Sequence, residues 1–198
     1  NPVNDEVGYG ILSKLGIELS KNRPKIGVSV RPWNLNRSRH IIAKACDYLA
    51  KSHQADIIFL PMQYPKDYLE SLEIVKMMKE DARVIPKSMG PRGVLWLCGK
   101  MDIILGMRLH ALIFGAMAKV PLVGLAYDPK VISFLNSVNQ PSAGKPDDLD
   151  LVALCNLLEK MLVETSQNRK RLREKNEEFR TLAEENAKLA IELLGDSR

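Results

Sequence analysis

The stretch from Asp102 to Phe134 constrains the chain most, because it lays down the same strand-turn-helix unit twice in succession. Asp102 to Leu105 is a short apolar run that stops at Gly106, which reads as a buried strand ending where a turn needs a permissive residue. Leu109, Leu112, Ile113, Ala116 and Met117 then fall at i, i+3, i+4, i+7 and i+8, the spacing of a helix whose apolar stripe packs back on a sheet. Val120 to Ala126 is a second buried strand, and it exits into Tyr127, Asp128, Pro129 and Lys130. Pro129 suits the first position of a new helix, with Asp128 before it as N-cap.

Both exits present polar side chains beside helix starts. First-turn amides have no acceptor within the helix and lie at the positive end of its dipole, so a phosphate or carboxylate is favoured there. Arg108 and His110 flank the apolar stripe in one first turn, and Lys130 lies in the next. An arginine in that position can grip an anion with two parallel hydrogen bonds, while a histidine titrating near neutrality can give or take a proton. In an open α/β sheet the ligand crevice lies outside the carboxyl ends of the strands, so residues far apart in sequence converge there. The candidates are therefore Arg108, His110 and Lys130, with Gly106, Leu109 and Tyr127 as neighbouring contacts and Asp128 in a supporting role.

The remainder of the chain continues the alternation. Ile26 to Val30, Asp56 to Leu60 and Arg83 to Ile85 are expected strands; Arg37 to Lys51 and Pro65 to Asp81 are expected helices, and Gly90 to Lys100 a helical turn or two. This order implies βαβ units with right-handed crossovers. The predicted fold over residues 25–164 is α/β, a Rossmann-like doubly wound parallel sheet. Arg31 leaves the first strand exit ahead of Pro32 and Trp33 and joins the candidates as a donor or acceptor contact. Trp33, Gln63 and Tyr64 are weaker candidates: aromatics at a crevice stack on sugar rings, but the same residues also seal strand ends against water.

The flanks differ in character. Residues 1–24 read as an inter-domain connection holding a short helix around Tyr9 to Leu15. Asp147 or Asp148 is expected to cap a helix running to Leu162. Residues 165–198 read as one long amphipathic helix, with Leu172, Phe179, Leu182, Leu189 and Leu193 in a narrow stripe interrupted by Asn186. That interruption favours packing across a domain over a coiled coil. The cluster from Arg169 to Lys175 reads as a solvated face.

Length and composition narrow the classes. The 198 residues suffice for one α/β domain with extra helix, without room for a second full domain. No run of about 18 apolar residues is present to cross a bilayer, and no leader pattern opens the chain. Cys46, Cys98 and Cys155 lack metal-ligand spacing and read as buried thiols in a reducing compartment, so a cytoplasmic location is expected. A net charge of +5 favours anionic partners and is compatible with peripheral contact at the inner membrane surface. Basic residues are not interleaved with aromatics, which argues against nucleic acid. Carboxylates near the strand exits are not grouped with His or Cys at ligand spacing, so no metal is expected.

The string GMRLHALIFGAMAKVPLVGLAYDPKV resembles the polysaccharide pyruvyltransferases, most closely the CsaB-type bacterial enzymes that place a pyruvate ketal on cell-wall polysaccharide. The likeness extends to VSVRPW at Val28 to Trp33 and FLPMQYPKD at Phe59 to Asp67, and covers about residues 1–138. It implies a two-domain enzyme of the GT-B type with phosphoenolpyruvate as donor and no further cofactor. The acceptor it implies is a lipid-linked or polymer-linked N-acetylmannosamine unit. Family members are considerably longer and open on a glycine-rich GNxGD segment that does not occur here. The resemblance therefore implies the C-terminal half of such an enzyme, inactive without its N-terminal domain. Within it, His110 becomes the expected proton carrier and Lys130 a second catalytic group.

Two rival readings stay open. One is a nucleotide-sugar glycosyltransferase domain of the same architecture, which would call for a ribose-binding carboxylate. The other is a non-catalytic anion-binding module.

Overall fold

The computed structural model describes residues 3–33 and 36–195. Five strands, β1 (Lys25–Ser29), β2 (Asp56–Phe59), β3 (Ala82–Val84), β4 (Ile103–Gly106) and β5 (Leu122–Gly124), form one sheet in the order β3-β2-β1-β4-β5. Every pairing is parallel. The chain winds outward from β1 to β3 and then returns to lay β4 on the other side of β1. The topological switch point thus lies between β1 and β4, the predicted doubly wound arrangement.

Helices cover both faces: α1 (Asp5–Lys14), α2 (Asn36–His53), α3 (Lys66–Val75), α4 (Gly90–Cys98), α5 (Leu109–Met117), α6 (Pro129–Ser137), α7 (Leu151–Val163) and α8 (Thr165–Gly195). Because both faces are covered, the central strands are apolar at consecutive positions rather than alternating. Ile57 and Phe59 join the core beneath α2 and α7, while Ile58 and Leu60 join the core beneath α4 and α5.

Several expectations are revised by packing. Gly106 belongs to β4 rather than to a turn: a Cβ there would lie 2.8 Å from Leu112 Cδ2, so the glycine lets α5 close on the sheet. α4 is a full nine-residue helix, whereas α3 ends early at Val75. The cap of α7 is Asp150, whose side chain accepts from the Ala153 amide at 2.8 Å. Asp147 and Asp148 lie instead in a short 3-10 turn, Pro146–Asp148.

The described part of the expected connection, residues 3–24, packs on the domain. Leu12 and Ile17 are buried, and a Cβ on Gly8 would fall 2.2 Å from the Trp96 ring. α8 is a single helix, as predicted, but only its first part is anchored. Leu172 is fully buried, Arg169 donates to the Met101 carbonyl at 2.8 Å, and Asn176 donates to the Ala116 carbonyl at 2.8 Å. Arg169 is therefore a tether rather than part of a solvated face. From Glu177 to Glu192 every residue is exposed.

Candidate functional site

The strand exits are held in register beyond the strands themselves. The Met107 amide donates to Ser29 O at 2.7 Å, Leu125 to Gly106 O at 2.9 Å and Leu60 to Val28 O at 2.7 Å, while Ser29 Oγ donates to Leu60 O at 3.0 Å. These bonds tie the ends of β1, β2, β4 and β5 together, so the residues that follow emerge at one edge. They include Arg31 after β1, Gln63 after β2, Arg108 after β4 and Tyr127 after β5.

Arg31 lies over the Tyr127 ring, with Cζ 4.6 Å from the ring centroid, and Trp33 packs on the same ring at 5.4 Å. The Trp33 indole N–H donates to Asp147, which fixes that aromatic wall. Arg31 Nε is buried without a hydrogen-bond partner, and among the described residues no carboxylate pairs with the side chain. A buried donor left unmade costs free energy, and a cation stacked on an aromatic face remains available to an anion.

Arg108 is differently placed. It is the N-cap of α5, with extended backbone and no capping bond from its side chain. Its Nε donates to Asp67 Oδ2 at 2.9 Å, and Nη2 donates to Asp67 Oδ1 at 2.6 Å and to Gln63 Oε1 at 2.9 Å. The two-pronged edge expected to grip an anion is therefore closed on a carboxylate within the chain. Of its five N–H groups, the two on Nη1 remain without a partner among the described residues.

His110, in the first turn of α5, is exposed on the rim of a depression of about 180 Å³ lined also by Pro61, Met62, Ser88, Pro91 and Phe114. Asp128 caps α6 by accepting from the Lys130 amide at 2.8 Å, and the Lys130 side chain stands exposed. Leu109 packs against the core under α5 rather than outward, and Gly106 is buried in β4. Arg31, Trp33 and Tyr127 thus form one contact group, and Arg108, Gln63 and Asp67 a second. Among the described residues the His110 and Lys130 side chains make no hydrogen bond or ion pair to either group, although the Met62 amide, 3.2 Å from Asp67 Oδ2, links the second group to the depression beside His110.

Sequence reasoning did not single out Asp67. Its position, an acidic residue in the first turn of a helix that follows a strand exit, was the available signal. His53, on α2 away from the strand exits, is half-buried and pairs with Glu159 at 3.1 Å.

A wider cavity of about 630 Å³ lies at the opposite, amino ends of the strands, beside Lys25 and Asp102. Three of the four cations that line it are engaged, Lys25 with the Arg23 carbonyl, Lys100 with Asp5, and Arg169 with Met101. Ligands of open parallel sheets bind at the carboxyl ends by the switch point, which favours the crevice at Arg31 and Arg108.

A family model for polysaccharide pyruvyl transferase matches residues 13–129, more than half of the chain. The chain belongs to the polysaccharide pyruvyl transferase family. The span that matches this family takes in Arg31, Asp67, Arg108, His110, Tyr127 and Asp128, and ends one residue before Lys130. Comparison with curated proteins gives no match. Among solved structures, S. aureus MnaA in a co-structure with UDP superposes with a TM-score of 0.62 at 12% identity, over 86% of this chain and 44% of that one. A glycosyltransferase from Rickettsia africae gives 0.60 at 13% identity, over 87% and 48%. UDP-GlcNAc 2-epimerase from Neisseria meningitidis bound to UDP-GlcNAc gives 0.56 at 14%, over 84% and 46%. At such identities the likeness is one of fold, a Rossmann-like domain of the GT-B kind. The chain spans less than half the length of these structures.

Proposed function

We propose that the chain is the C-terminal, donor-binding half of a pyruvyltransferase that moves the enolpyruvyl group of phosphoenolpyruvate onto a lipid-linked or polymer-linked saccharide. The observation that carries this reading is Arg31, a stacked cation with an unpaired buried Nε at the switch point, inside the span matched by the family. In ketal formation the donor's methylene carbon gains a proton and its central carbon becomes electrophilic. Two sugar hydroxyls then add to that carbon, losing their protons, and the bond to phosphate breaks. His110 is the group assigned to these proton transfers, being exposed beside a depression large enough to admit part of a substrate. Arg31 and the free Nη1 of Arg108, with the first amides of α5, hold the donor's carboxylate and phosphate. Lys130, exposed at the start of α6, stabilises charge gathering on the departing phosphate. No step in this scheme calls on a metal.

The acceptor is assigned to the N-acetylmannosamine class of cell-wall precursors, reached at the cytoplasmic side of the membrane. No helix among the described residues is long and apolar enough to cross a membrane. The N-terminal domain of the GT-B pair would complete the acceptor side, and this half alone is expected to transfer no pyruvate.

A nucleotide-sugar reading deserves weight because several of the matched structures hold UDP or UDP-GlcNAc. It requires a carboxylate free to bind ribose. At the strand exits Asp67 is taken by Arg108 and Asp128 by the α6 cap, and Asp147, in the 3-10 turn beside Trp33, is taken by the indole, which favours the pyruvyl reading. Calorimetric titration of the chain with phosphoenolpyruvate and, in parallel, with UDP and GDP tests the choice. Binding of phosphoenolpyruvate is expected; binding of a nucleoside diphosphate without it would reject the proposal.

A further inference from the structure

Asp67 carries no part in the scheme above, yet it is the most enclosed ionisable group at the crevice. Its side chain is wholly inaccessible to solvent, while Arg108 beside it keeps 18% of its side chain exposed. Oδ2 accepts from the Met62 amide at 3.2 Å, the Gln63 amide at 2.9 Å and Arg108 Nε at 2.9 Å, and Oδ1 accepts from Arg108 Nη2 at 2.6 Å. The two amides belong to the segment leaving β2, and Arg108 follows β4, so the carboxylate joins two strand exits that flank β1 on either side. A buried carboxylate bound this way fixes the plane of the guanidinium, because the paired bonds allow one orientation.

We propose that Asp67 is a positioning residue for the donor anion. It locks the Nε and Nη2 edge of Arg108 inward and so leaves Nη1 as the one end able to donate to a substrate. The inference rests on the donor reading given above. The alternative role, a charge that merely neutralises Arg108, predicts the opposite sign. Removing a negative charge beside an anion site strengthens anion binding when orientation does not matter, and weakens it when the orientation of the arginine is what the charge secures.

Asp67→Asn keeps the shape and an acceptor oxygen for the loop amides while losing the charged two-point grip. Calorimetry with phosphoenolpyruvate on the wild-type chain, Asp67→Asn, Arg108→Ala and the double variant forms a cycle, with thermal melts confirming that each chain is folded. Asp67→Asn is expected to weaken binding about tenfold in the wild-type background, the order of a lost charge-assisted hydrogen bond. In the Arg108→Ala background the same change is expected to do nothing measurable. Equal weakening in both backgrounds, or binding tightened in the first, would overturn the proposal. If Asp67→Asn does not fold, Asp67→Glu takes its place in the cycle with the same expectations, because the longer side chain keeps the charge but displaces the grip. A second readout needs no ligand: the Arg108 Nε–H proton, held against a buried carboxylate, should give a sharp, slowly exchanging NMR resonance that is lost in the Asp67 variant. Should the wild-type chain ignore phosphoenolpyruvate, the donor reading fails. The resonance then decides the positioning role alone, and its persistence in the variant overturns that role.

Discussion

Arg31 and Arg108 follow adjacent strands, but their charges are treated differently by what surrounds them. Arg108 is compensated by Asp67, whereas Arg31 is stacked on Tyr127 with no carboxylate partner among the described residues. Arg31→Ala is therefore expected to weaken phosphoenolpyruvate binding more than Arg108→Ala does, by a further factor of about ten for a charge-assisted bond to an uncompensated cation; isothermal calorimetry on both variants checks the order. The places of Arg31, Arg108 and His110, at a strand exit or a helix start, were legible in the sequence because the apolar pattern defines those exits and starts. The partner of Arg108 was not, because Asp67 lies 41 positions away and only the sheet order brings β2 and β4 to flank the same strand. The cysteines behave as expected for buried thiols. Burial pushes Cys98 up to about 12 and moves Cys46 and Cys155 upward as well. A raised thiol pKa leaves almost no thiolate at neutral pH, so all three should resist a disulfide reagent in the native chain and react in urea.

Among the elements, β4 and α5 were the most legible, since an apolar run followed by a period of 3.6 has few other interpretations, and the start of α6 was read from Asp128 as cap and Pro129 after it. The cap of α7 was misplaced by a few residues because three aspartates occur within Asp147 to Asp150, and sequence does not reveal which of them follows the 3-10 turn. Gly106 was located correctly and explained wrongly, as a conformational need rather than as space for Leu112. Those two explanations differ in their consequence. A turn glycine with positive φ would resist every substitution through backbone strain, whereas a packing glycine resists in proportion to the side chain's volume and relaxes if its neighbour is trimmed. Gly106→Ala is expected to cost about 1–3 kcal/mol from overpacking, and the double change with Leu112→Val should recover part of it. Urea denaturation of the two variants checks this; equal stability of single and double variants would point back to the backbone. Asp128 was placed correctly as the α6 cap, and Asp128→Ala should cost about 1 kcal/mol.

At the scale of the whole molecule, α8 divides into a half that belongs to the domain and a half that does not. Leu172 fills the core beneath α5, and Arg169 and Asn176 bond to backbone carbonyls on either side of it. Beyond Asn176 the apolar stripe continues through Phe179, Leu182 and Leu189, but these side chains are exposed. A helix without a packed face is marginal in water, because propagation barely offsets the conformational entropy it fixes. Removal of residues 177–198 is therefore expected to leave the thermal midpoint of the chain close to that of the full sequence. Leu172→Ala, by contrast, removes a fully buried side chain and should cost about 2–5 kcal/mol, lowering the midpoint visibly. Circular dichroism adds an independent check, since the shortened chain should lose helical signal without losing cooperativity. Phosphoenolpyruvate affinity should survive the truncation as well, because α8 is tethered at the amino ends of the strands and the crevice opens at the carboxyl ends. A large fall in midpoint on truncation would mean that the outer half of α8 packs on the domain after all.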